Sequence, residues 1–105
     1  MTAPEACSSM RELRKEIDAI DAELVALLAK RARYIDRATE LKPAEGVPAR
    51  IPARVDEVLA NVEQLSVQAG LDPQLAVPLW TRIIDWSIAR EEKVLGSGDN
   101  SKDHI

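Results

Sequence analysis

The chain has 105 residues, 46% of them apolar, and a formal net charge of −4. That length fits one small domain, and the acidic balance excludes a broad nucleic-acid footprint, so any anion site must be a local basic cluster. The only cysteine, Cys7, excludes an internal disulfide and cysteine-rich zinc motifs, and the only histidine, His104, lies in a polar tail, which argues against histidine-based metal or triad chemistry.

Phe is absent and only three residues are aromatic, so the core must be aliphatic. Chains this short bury only about 60–70% of their unfolded surface, and a partner subunit would help complete the burial. No apolar run is long enough to cross a membrane, and the start "MTAPEACSSM" carries no apolar signal region. The expected location is the cytoplasm.

Residues 1–8 are expected to be a flexible N-terminus. Ser9, with Glu12 three residues on, forms a capping-box start. Met10, Leu13, Ile17, Ile20, Leu24 and Leu27 then recur with helical spacing, and the pattern continues to Lys42, where Pro43 should stop it. Such a helix is roughly 50 Å long. Two short partners from the same chain cannot cover it, which points to dimerisation.

Residues 43–52, "PAEGVPARIP", read as a loop. A second helix should start near Pro52, bury Val55, Val58, Leu59, Val62, Leu65 and Ala69, and end at Gly70. Asp72 and Pro73 restart the chain, with Pro78 expected to delay or kink a third helix. Its stripe is Leu79, Trp80, Ile83, Ile84, Ile88 and Leu95, and Gly96 ends it. The helical domain thus spans 9–95, and 96–105 read as a disordered polar tail. With no strand pattern, the fold class is all-α, one long helix and two shorter ones.

Polar groups interrupt these stripes. Continuing the first stripe places Arg31 on the inward face. Arg31 and Lys42 are eleven residues apart, about three turns, so two long side chains could close on a small anion. Arg14 lies about 25 Å before Arg31 along the helix, too far to share that site within one subunit. Ser87 and Glu91, four residues apart, prolong the third helix's apolar face, and a carboxyl group there is costly without a partner. Each residue also has a plain structural reading. Arg31 can snorkel at a helix seam, Lys42 can serve the helix dipole, and Glu91 can edge a solvated face. Arg33, Arg37, Arg82 and Arg90 read as solvated charges, and Trp80 and Trp86 as core and interface.

The segments "LRKEIDAIDAELVALLAKR", "ELK", "IPARV" and "IIDWSIAREE" resemble the all-helical chorismate mutases and their relatives the isochorismate pyruvate lyases, over roughly residues 4–95. The resemblance implies an intertwined homodimer of three-helix chains with no cofactor and no metal, each site drawing on both subunits. It implies that Arg14 reaches across the dimer to a substrate carboxylate and that Arg31 pairs with the enolpyruvyl carboxylate. Lys42 would donate to the ether oxygen, Arg54 would help close the site, and Ser87 would bind the ring carboxylate. Glu91 stands where many members carry Gln. Val55 departs from the mutase pattern, which often has Glu there, and matches the lyases; Ser87 and Glu91 look mutase-like.

The reaction implied first is rearrangement of chorismate to prephenate, in the synthesis of Phe and Tyr. The second is isochorismate pyruvate lysis to salicylate and pyruvate. A third reading, of another class, is a non-catalytic helical dimerisation module. The expected partners are a small dicarboxylate and a second copy of the chain, with no nucleic acid and no membrane.

Overall fold

A computed structural model describes residues 2–96. All regular structure among them is helical: a 3-10 turn at Pro4–Ala6, then α1 at Met10–Glu45, α2 at Pro52–Ala69 and α3 at Pro73–Leu95. The expected tail, 96–105, lies outside the described residues but for Gly96, which ends α3. The chain divides into two compact units, Met1–Tyr34 and Ile35–Ile105.

In the first unit the start of α1 is capped as expected at Ser9, whose Oγ accepts the Glu12 N–H at 3.2 Å. The return arm falls one residue earlier than a capping box places it. The Glu12 carboxylate accepts the Ser8 hydroxyl at 2.7 Å and the Ser8 N–H at 3.2 Å. These bonds stabilise the ionised form and hold the Glu12 carboxyl below its usual range. No residue of α1 is buried in the single chain. Its apolar stripe, including Ile17, Ile20, Leu24 and Leu27, stands exposed.

The second unit holds the end of α1 together with α2 and α3. Pro43 does not stop α1, which continues to Glu45. Proline's φ is compatible with helix, and its missing N–H forfeits one bond in the last turn. The stop is Gly46 at φ +67°. Its N–H bonds the Pro43 carbonyl at 3.2 Å, and the Val47 N–H bonds the Lys42 carbonyl at 2.9 Å. This is a Schellman ending, which needs a left-handed residue at that point.

α2 starts at Pro52 and ends against Gly70, as its sequence predicts. Asp72 caps α3 by accepting the Gln74 N–H at 2.9 Å. Pro78 lies inside α3 and does not delay it. The carbonyl it leaves unbonded belongs to exposed Gln74, where water can reach it.

The core of this unit is small. Ala49, Ile84 and Ile88 are buried, with Val55, Val58, Leu59, Trp80 and Leu95 packed around them. Leu65 and Leu79, expected inside, are exposed, whereas the small residues Ala49, Ser66 and Ala76 are buried. Small side chains let backbone come close, and apolar periodicity does not report them.

Candidate active site

The second unit brings together two of the residues singled out from sequence. Lys42, in the last turns of α1, places its Nζ 2.8 Å from Glu91 Oε1 on α3. The Glu91 side chain is only 5% exposed and that of Lys42 19%. The ammonium also donates to the Ala49 carbonyl in the α1–α2 loop at 2.9 Å. Lys42 therefore joins the end of α1, the loop and α3 at one point. A buried carboxylate is tolerated only when paired, and here the pair is an ionic contact. Among the described residues Glu91 Oε1 has no aligned hydrogen-bond donor. That oxygen retains capacity for a further polar group.

Ser87 lies one turn before Glu91 on the same buried face of α3. Its hydroxyl donates back to the Ile83 carbonyl at 2.8 Å. Arg54 is exposed and paired with Glu57 in the first turn of α2. Val55, beside it in sequence, packs against the core. In the first unit Arg14 is exposed and lines an open concavity with Arg11, Lys15 and Asp18, and Arg31 is half-buried.

A second ion pair ties the same two helices and was not legible in the sequence. Arg90, read there as a solvated charge, donates from Nε to Asp36 Oδ1 at 2.6 Å and from Nη2 to Oδ2 at 3.0 Å. Its guanidinium also lies over the Trp86 ring, 5.3 Å from the centroid. The Arg90 fork holds the Asp36 carboxyl below its usual range, and the carboxylate pushes the guanidinium up. The partners are 54 residues apart, so no local spacing announces the pair.

No group of three or more His, Cys, Asp or Glu side chains among the described residues could hold a metal ion. No helix among them is long and apolar enough to cross a membrane.

The site thus holds a buried serine and carboxylate one turn apart on α3, with a lysine of α1 in contact with the carboxylate. The family profile of chorismate mutase type II matches residues 13–92, and the chain belongs to that family. It is 34% identical over 94 residues to the isochorismate pyruvate lyase of Pseudomonas aeruginosa, covering 89% of this chain and 91% of that protein. It is 36% identical over 88 residues to the bifunctional chorismate mutase/prephenate dehydratase of Aquifex aeolicus, covering 81% of this chain but only 24% of that relative. A chorismate mutase of Methanocaldococcus jannaschii is 24% identical, with 87% of this chain and 92% of the relative covered.

Proposed function

We propose that the chain is a chorismate mutase, converting chorismate to prephenate in the supply of Phe and Tyr, and that it acts in the cytoplasm. The observation that carries this reading is the buried contact between Lys42 and Glu91 at 2.8 Å. The rearrangement is concerted: one carbon–oxygen bond breaks while one carbon–carbon bond forms. No nucleophile is required. Catalysis then consists of holding a compact conformer of the substrate and stabilising negative charge that develops on its ether oxygen.

Lys42 supplies that charge. Glu91 can donate to the same oxygen only when protonated, since an ionised carboxylate has no hydrogen to give. As a carboxylate it orients Lys42 instead. Arg31 is proposed to bind the enolpyruvyl carboxylate, a task suited to the planar fork of arginine, Ser87 to bind the ring carboxylate, and Arg54 to help close the site over the substrate. Arg14 is proposed to come from the second subunit of a homodimer. The exposed apolar stripe of α1 supports such a partner.

One observation favours a second reading, isochorismate pyruvate lysis. Val55 packs against the core at the place where mutases often carry a Glu. Parallel assays separate the two. Loss of chorismate absorbance with prephenate as product supports the mutase. Salicylate and pyruvate from isochorismate, at higher kcat/KM, support the lyase. Inertness toward both leaves the dimerisation module.

A further inference from the structure

We infer that Asp36 and Arg90 are positioning residues for the reaction proposed above, acting as a clamp that sets Glu91 against Lys42. The inference rests on that reading of the site.

Arg90 and Glu91 are consecutive on α3 and so leave the helix about 100° apart. Their partners on the 35–45 end of α1, Asp36 and Lys42, are six residues apart, about 9 Å along the axis. The two ties therefore run in different directions from one level of α3 to two levels of α1. The core contacts of Ile84 and Ile88 seat one face of α3. Two polar ties that are not parallel add a restraint on both its rotation and its tilt.

Small rotations matter at this site. A turn of about 10° moves a side-chain tip some 6 Å from the helix axis by about 1 Å. A misplacement of that size can cost about a hundredfold in rate.

The clamp is also more exactingly built than its contribution to stability requires. Both side chains are nearly half exposed, and exposed ion pairs stabilise a fold little. Yet the fork is bidentate, and the guanidinium also lies over the ring of Trp86, one turn earlier on α3. Bidentate pairing adds direction as well as strength. The groups facing the clamp thus restrict its orientation, which is what a positioning device needs.

The test is steady-state kinetics on whichever substrate the wild-type protein turns over, with melting curves alongside. The proteins are Asp36→Asn, Arg90→Gln, the double variant, and the charge swap Asp36→Lys with Arg90→Glu. The clamp predicts that each single variant loses about tenfold or more in kcat. KM should stay within about twofold, and the double variant should be no slower than the slower single, since both remove one interaction. The swap should recover at least part of kcat.

Single variants that keep wild-type kcat, or losses that multiply in the double variant, overturn the inference. If a single variant does not fold, the swap decides: a folded swap variant that keeps more than about a tenth of wild-type kcat supports the clamp, and a folded one below that overturns it. A wild-type chain inert toward both chorismate and isochorismate overturns the functional reading instead, and the positioning role with it.

Discussion

At the scale of single residues, the proposed site centres on a lysine that joins three parts of the fold. Lys42 serves the Ala49 carbonyl and the Glu91 carboxylate, and is proposed to serve a substrate oxygen as well. Replacing Lys42 or Arg31 by Ala should each lower kcat/KM by about a hundredfold or more, the scale seen when one transition-state donor is removed. Near-normal turnover would leave Lys42 a dipole partner or Arg31 a snorkelling side chain. Glu91 invites a sharper test. Only a neutral group can donate to the ether oxygen, and Glu91→Gln keeps the shape of the side chain while being a donor at every pH. If Glu91 acts as a donor, the Gln variant should keep kcat within about tenfold of wild type. A Gln variant that loses kcat by about a hundredfold would instead make Glu91 the carboxylate that orients Lys42. The inward setting of Glu91 was legible because its four-residue spacing from Ser87 prolongs an apolar stripe. The Ala49 carbonyl was not, since backbone acceptors leave no mark in side-chain pattern.

At the scale of elements, the ends of the helices are set by a few hydrogen bonds each. Gly46 and Gly70 both follow a helix with positive φ, and a Cβ at either would meet nothing within 4 Å. The cost of Gly46→Ala is therefore conformational alone, about 1–2 kcal/mol for a left-handed L-residue, and denaturant melts should show it. The same change touches the Schellman bond to the Lys42 carbonyl, so it reads stability beside the site. The Asp36–Arg90 clamp adds a pH signature. Asp36 ionises more readily in the folded chain than in the unfolded one. Whatever stability the pair gives is thus fully present above the ordinary Asp range, near pH 4, and lost as pH falls through the lower folded value. Any stability gap between wild type and Asp36→Asn at pH 7 should close on acidification; a gap that persists to about pH 2 would assign it to something other than the ion pair. Helix starts and the α2 and α3 ends were legible because caps and glycines are local signals. The passage of α1 through Pro43 was not, because proline reads as a stop wherever its one lost bond goes uncounted.

At the scale of the whole molecule, the all-helical fold followed from periodicity, and the family from four short segments. The long-range pairs were hidden, since residues 36 and 90 share no period. The intertwined homodimer is the proposal that a second chain tests most directly. Mixing Arg14→Ala with Arg31→Ala chains, each inactive alone, should restore part of the activity after exchange. In the mixed dimer one site carries both lesions and the other carries neither. No recovery despite demonstrated exchange would place Arg14 and Arg31 at the same subunit's site. The exposed apolar stripe of α1 has a consequence for how the catalyst behaves in a dilution series. If two chains build each site, the number of working sites depends on encounters between chains, so rate per milligram should fall on dilution below the dissociation constant of the dimer and return, after a lag, on reconcentration. A constant specific activity down to nanomolar protein would mean either very tight association or a site that one chain completes alone, and a sizing experiment at the same concentration tells these apart.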